Sequence, residues 1–279
     1  VGNSMVTIKG LARTFTTIKN PHSAVLSKLT NKPKKIIFLN GSRFLITWSQ
    51  FRFLRDHYDL LKKYNLQQID AETFKINTER FQLIGSQVLI CTLDEIESGM
   101  YEYDCKGKVV LDIGGFEGDS AVFFWAMGAK KVIIYEPVLE HNKFILENVR
   151  LNNINAEIHN EGKGNEGGEV TVAYEKVDNC FGLEAESLPN KMQIKIKDVT
   201  KVISESDADV AKIDCEGAEV SLVNVPSEIL RKIEYAIIEV HTLQIRERLI
   251  QKFKSAGFIM AKGNEECDEP ISMLYFKRV

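Results

Sequence analysis

The run Val109-Val110-Leu111-Asp112-Ile113 leads directly into Gly114-Gly115-Phe116-Glu117-Gly118, and no other stretch restricts the fold as strongly. A short, continuous apolar segment suits a strand buried on both faces, as in a parallel sheet covered by helices. Glycines at its end permit a tight turn and let backbone approach a ligand closely. The following segment, about Asp119 to Met127, has helical character. Strand, turn and helix together form the opening of a βαβ unit.

The same rhythm continues from Gly107 onward. Lys131 to Tyr135 reads as the next strand and Leu139 to Asn152 as a helix, with a third strand over Ala156 to His159. It is interrupted by the polar, glycine-rich loop Glu161 to Gly168. Two alternating segments follow, Val170 to Tyr174 and Met192 to Lys197, which predict exposed strands of an insertion. After a short helix over Val199 to Ile203 the rhythm resumes. Val210 to Asp214 is a strand, Ala218 to about Val223 a helix, and Tyr235 to Val240 a strand. Leu243 to Ala256 is an amphipathic helix, and Phe258 to Ala261 with Met273 to Lys277 form a final pair of strands. The pattern predicts a doubly wound α/β domain.

Residues before about 105 have a different texture. Ile36 to Leu39 and Phe44 to Trp48 flank Asn40-Gly41, a hairpin turn signal. Phe51, Leu54, Tyr58 and Leu61 fall at helical spacing within Phe51 to Tyr64, and short strands are expected at Thr73 to Asn77 and Phe81 to Ile84. The expected division is therefore 1–105, a cap or substrate-associated subdomain, and 106–279, a Rossmann-like domain with an insertion at about 161–198.

Of the 279 residues, 44% are hydrophobic and 27% charged, the balance of a globular chain that buries a sizeable core. Net charge is -3, which supplies no general attraction to nucleic acid. The five cysteines, Cys91, Cys105, Cys180, Cys215 and Cys267, are odd in number and contain no C-x-x-C pair, so neither a disulfide framework nor a zinc site is suggested. No apolar run approaches the ~18 residues of a membrane span, and Val1 to Met5 carries no signal-peptide core. A cytoplasmic location, no membrane insertion and no nucleic-acid partner are the resulting expectations; the oligomeric state is left open.

The spacing Gly114, Gly115, Gly118 differs from the G-x-G-x-x-G that accommodates a pyrophosphate. Acids at Asp112, Glu117 and Asp119 would repel a phosphate, whereas they suit a ligand with cationic groups, such as the amino group and sulfonium of S-adenosylmethionine. Glu136, ending the next strand roughly 20 residues on, stands where an acid accepts hydrogen bonds from ribose hydroxyls. The expected cofactor-binding set is Asp112, Gly114, Gly115, Phe116, Gly118, Asp119, Ser120, Glu136, Pro137 and Glu161. Two further strand ends carry Lys212-Ile213-Asp214-Cys215-Glu216-Gly217-Ala218-Glu219 and Glu239-Val240-His241. Ligands of open parallel sheets bind beyond the carboxyl ends of the strands, so Asp214, Glu216, Glu239 and His241 are expected to converge as the catalytic group. They suit a proton acceptor or a divalent cation; which, if either, is open. A hydrogen-bonded network that only supports the fold is the bland alternative, and Lys212 is expected to pair with a carboxylate.

In order, "VVLDIGGFEGDS", "VIIYEP", "ENVRLNN", "VAKIDCEGAE" and "IIEVH" resemble the FkbM family of S-adenosylmethionine-dependent methyltransferases over about Tyr101 to His241. The resemblance implies a class I methyltransferase-like, doubly wound, mostly parallel seven-stranded sheet with the last strand antiparallel; the smaller N-terminal α/β subdomain beside it is expected from the residues before about 105 themselves. It implies O-methylation of a sugar or other small-molecule hydroxyl. Asp112, Gly114 and Gly118 map to its cofactor loop, Glu136 to the ribose, and Asp214, Glu216 and Glu219 to the block after the fourth strand. Gly115 stands where the family often has alanine. The loop Gly162 to Gly168 and the N-terminal third have no counterpart. A nicotinamide-dependent oxidoreductase and a non-catalytic binding module are the competing readings.

Overall fold

The computed structural model describes residues 16–174, 190–262 and 271–279. Val1 to Met5, Cys180 and Cys267 lie outside them. The chain divides into two compact units, Val1–Ser98 and Gly99–Val279.

In the first unit, helix α1 (Pro21–Thr30) precedes a hairpin of β1 (Lys34–Ile37) and β2 (Arg43–Ile46). Asn40-Gly41 makes the expected turn, with Gly41 at φ 96°. Thr47 and Gln50 cap each other reciprocally and start α2 (Trp48–Asp56). The single helix expected over Phe51 to Tyr64 is instead two, because His57 leaves helical geometry (φ -105°, ψ 29°) before α3 (Tyr58–Lys63). The ring of His57 bonds the Phe53 carbonyl through Nδ1 at 2.9 Å, which holds this break. An antiparallel sheet of β3 (Asn65–Gln68), β4 (Phe74–Asn77) and β5 (Gln82–Gly85) follows, then α4 (Leu89–Glu97). Phe38 packs against Phe44 and Phe51, and Phe44 against Phe74, so that aromatic rings supply much of this core.

The second unit is built on a seven-stranded, mostly parallel sheet. Its strands are β6 (Val109–Ile113), β7 (Lys131–Tyr135), β8 (Ala156–His159), β12 (Val210–Ile213), β13 (Tyr235–Val240), β14 (Phe258–Lys262) and β15 (Ser272–Arg278). Their order is β14-β15-β13-β12-β6-β7-β8, and β15 runs antiparallel to both neighbours. Every residue of β6 is buried, and each such Val, Leu or Ile contributes ~1.5–3 kcal/mol of transfer free energy. Helix α5 (Asp119–Ala126) begins at Gly118, α6 (Leu139–Asn152) follows β7, and α9 (Leu243–Ser255) follows β13. Alternate residues Leu111, Ile113, Ile133, Tyr135, Ala211, Ile213 and Ile238 join Leu222, Leu249 and Phe253 in one core.

A second sheet interrupts the α/β rhythm. Its order is β10-β11-β9, formed by β9 (Gly162–Gly164), β10 (Gly168–Tyr174) and β11 (Asn190–Asp198). Part of the loop expected at Glu161 to Gly168 is thus a strand. Its glycines make that possible: a Cβ on Gly162 or on Gly164 would come within 2.9 Å of the Ile196 side chain. After α7 (Val199–Glu205) and β12, the helix expected at Ala218 to about Val223 is present as a 3-10 helix, Ala218–Asn224. Ser221 Oγ donates to the Ala218 carbonyl at 2.7 Å, competing for an acceptor of the α-helical ladder. The four-residue helix α8 (Ser227–Leu230) leads into β13.

Candidate active site at the carboxyl ends of the central strands

Successive strands move one way from β6 through β7 to β8, and the chain then crosses to β12 on the other side of β6. This reversal creates a crevice beyond the carboxyl ends of β6 and β12. The glycine turn and the Asp214 turn lie side by side there, with the Asp214 N–H donating to the Ile113 carbonyl at 2.9 Å.

The turn after β6 is held from β7. Gly114 and Gly115 N–H both donate to the Tyr135 carbonyl, at 2.9 and 3.2 Å. Gly114 and Gly118 adopt φ of +80° and +84°, and Phe116 sits at φ 44°. A Cβ on Gly115 would meet Ile134 Cγ2 at 2.4 Å. The Phe116 N–H reaches Glu136 Oε2 at 3.0 Å, while Glu136 Oε1 accepts from the Val138 N–H at 2.9 Å and lies 3.2 Å from His141 Nδ1. Glu136 therefore ties the first turn to the second. Each carboxylate oxygen offers about two lone-pair sites, so Oε2 keeps one for a further donor. Pro137 is half-buried behind it and cannot compete as a donor.

Asp112 and Ser120 face each other away from water. Ser120 Oγ donates to Asp112 Oδ2 at 2.6 Å, and Asp112 is fully buried. Lys212 Nζ lies 3.5 Å from Asp112, 3.6 Å from Asp214, and donates to the Gly114 carbonyl at 2.5 Å. Burial alone would lower the lysine pKa, but Asp112 and Asp214 outweigh it and raise it. Burial pushes the Asp112 carboxyl up, against the pull of Lys212. Asp119, buried at the start of α5, also acts on this ammonium. With Glu239, four carboxylates thus act on one internal cation.

The turn after β12 carries the second group. Glu216 adopts φ 53° and Gly217 φ 101°. Glu219 is fully buried and organises the surroundings: its Oε2 accepts from the Gly217 N–H at 2.8 Å, and its Oε1 from the His241 N–H at 3.1 Å and from His241 Nδ1 at 3.0 Å. His241 Nε2 then faces Glu216 Oε2 at 3.3 Å. Burial lowers the imidazole pKa, but the Glu219 hydrogen bond and the Glu219, Glu216 and Asp214 charges exceed it and push it up to about 9. His241 holds its proton at neutral pH. Ligand atoms of Asp214, Glu216 and His241 all lie within 4.8 Å of one another, a spacing a divalent cation can use.

Three of the four expected catalytic residues are brought together in this way. Glu239 is not in that trio; half-buried on β13, it acts electrostatically on Lys212 and Tyr275. Glu161 is half-buried after β8, within electrostatic reach of Lys163 and Tyr135.

Sequence reasoning passed over three polar residues. His141 is buried against Glu136 and the Phe116 ring, 4.4 Å between centroids. Asn160 donates to the Glu136 carbonyl at 2.8 Å. Lys163 is buried with its amine 3.3 Å from the centre of the Tyr135 ring. The one signal for Lys163 was a lone cation between two glycines.

No family model matches the chain, and no curated protein matches it. Among solved structures it is similar to fibrillarin of Aeropyrum pernix in complex with natively bound S-adenosyl-L-methionine, at 12% identity over 76% of this chain and 97% of that one, with a TM-score of 0.41. It is similar to the ribosomal protein L11 methylase of Lactobacillus delbrueckii subsp. bulgaricus (17% identity, 68% and 79% of the two chains, TM-score 0.39). A third is precorrin-6y C5,15-methyltransferase of Geobacter metallireducens (12% identity, 69% and 89%, TM-score 0.38). Likeness at this level assigns neither donor nor acceptor to this chain. Among the described residues no helix is long and apolar enough to cross a membrane.

Proposed function

We propose that the chain is an S-adenosylmethionine-dependent methyltransferase of the FkbM type, acting in the cytoplasm on a hydroxyl of a saccharide or other small molecule. The observation that carries this reading is the Glu136 carboxylate, fixed by the Phe116 and Val138 N–H groups at the mouth of the glycine turn with one lone-pair site still open. An acid so placed suits a free ribose hydroxyl. The carboxylates of Asp112, Asp119 and Asp214 outnumber the ammonium of Lys212, which suits a cationic ligand and disfavours a phosphate. The strand order gives further support. The dinucleotide-binding sheet runs 3-2-1-4-5-6 with parallel strands, whereas here the place beside β13 is taken by the antiparallel β15. That disfavours the nicotinamide reading.

Bound S-adenosylmethionine would supply a methyl group activated by its sulfonium. The chain's own task is then to hold an acceptor in line and take its proton; positioning of this kind contributes much of an enzyme's rate. Because His241 is protonated at neutral pH with Nδ1 on Glu219 and Nε2 facing Glu216, its role is to hold the Glu216 carboxylate in place beside the acceptor. Asp214, partly exposed beside it, takes the proton. Glu216 and Glu219 hold the imidazole.

Calorimetry with S-adenosylhomocysteine and with NAD tests the donor. Micromolar binding of the first and none of the second is expected; the reverse would replace the reading with an oxidoreductase. Radiolabelled methyl transfer to a panel of saccharides and hydroxylated small molecules, with RNA and protein acceptors alongside, tests the acceptor class.

A further inference from the structure

Lys163 is the one buried lysine of the second sheet, only 3% exposed. Its amine lies 3.3 Å from the centre of the Tyr135 ring. The opposite partner of that ring is His159, stacked at 4.3 Å and 8°. The amine donates a hydrogen bond to the adjacent Gly162 carbonyl at 3.2 Å, and among the described residues no carboxylate forms an ion pair with it. A buried ammonium without a carboxylate partner is costly, and the Tyr135 face and the Gly162 carbonyl offset only part of that cost. Gly162 and Gly164 let β9 lie against Ile196, and the strand directs Lys163 toward β7.

Tyr135 has a second task. Its carbonyl accepts the N–H groups of Gly114 and Gly115, and the next residue is Glu136. The seat of Lys163 and the anchor of the glycine turn are therefore one residue. We infer that Lys163 is a positioning residue of the donor site, seating β9 on Tyr135 and thereby steadying the glycine turn and Glu136, so that donor binding is linked to a proton on this amine. The inference rests on the donor reading above.

The charged and titratable groups around the amine are Tyr135 on β7, His159 on β8, Glu161 after it, Lys197 on β11 and Cys215 after β12. Burial lowers the Lys163 pKa most, to about 7, with Glu161 opposing and Lys197 adding to the shift. An unseated lysine titrates near its ordinary ~10.4. Between those values the seated form is neutral and the released form charged. Seating then gains up to ~tenfold per pH unit as pH rises above about 7, and below it the dependence vanishes.

Hydrogen exchange of the Gly162–Gly164 amides in the ligand-free full chain reads this directly. After correction for intrinsic rates, protection is expected to rise several-fold between pH 7 and 9. Constant protection would overturn the inference. The coupling is read by S-adenosylhomocysteine affinity of the wild type, Lys163→Met and Lys163→Arg. The ratio of wild-type to Lys163→Met affinity is expected to grow at least threefold from pH 7 to 9. Lys163→Arg, charged throughout, should show no such growth relative to Lys163→Met. A constant wild-type to Lys163→Met ratio would overturn the coupling. Absence of binding by the wild type at every pH, with rising protection, would instead reject the donor reading and with it the positioning role.

Discussion

A methyl group added to Gly114 would lie 1.6 Å from the carbonyl oxygen of Asp214. The first and fourth strand-end turns are in backbone contact, with no side chain between them. Any residue other than glycine at 114 must push the two halves of the crevice apart.

Gly114→Ala should therefore cost about 2–5 kcal/mol, combining left-handed strain with overpacking. Gly217, at φ 101° with open space around its missing Cβ, is the control. Gly217→Ala carries strain alone, about 1–2 kcal/mol. Urea denaturation of both variants checks the order.

Lys212→Met removes the ammonium between Asp112 and Asp214 and strands a buried carboxylate. A loss of about 3–5 kcal/mol is expected. The midpoint should recover partly at low pH, where Asp112, already raised by burial, is protonated. A midpoint within 1 °C of wild type across the pH range would contradict this.

His241 interacts more favourably with Glu216 and Glu219 when its ring is protonated. Its folded pKa of about 9 stands above the ordinary 6.5, so its contribution is full below pH 6.5 and is lost as pH rises through about 9. The size is on the order of 3 kcal/mol. The stability difference between wild type and His241→Gln should shrink from pH 6.5 to 9.5, as read by denaturation at matched ionic strength. Taking the difference removes the opposite trend expected of Lys163.

Glu136→Gln keeps the shape but leaves one acceptor oxygen for two backbone N–H groups. It should weaken S-adenosylhomocysteine binding at least tenfold and cost about 1–3 kcal/mol of stability. Calorimetry and thermal melting separate the two effects. Unchanged affinity would remove Glu136 from the donor site.

The sheet was legible because β6, β7, β12 and β13 are mostly apolar runs, with single interruptions such as Lys212, each leading to an acid or a glycine turn. Local pattern alone decides such strands. Their order and the contact between Gly114 and Asp214 were not legible, since both depend on long-range pairing. In the first unit, α1 and α4 escaped notice because their apolar stripes are short, and the break at His57 follows from a side-chain bond that periodicity does not record. Within the site, the residue types at Asp214, Glu216 and His241 pointed to chemistry. That His241 is clamped between Glu216 and Glu219 depends on the fully buried Glu219, and burial of an acid has no signature in spacing.

The strand β14 pairs only with β15, and β15 lies between it and β13. β14 precedes β15 in the chain, yet it joins the sheet only through β15, which occupies the edge of β13. Without β15 in place, β13 would be an open edge and β14 an unpaired ribbon, a state prone to self-association. β15 is thus the link on which this side of the sheet depends, and a variant in which it cannot pair should aggregate under conditions where the intact protein does not.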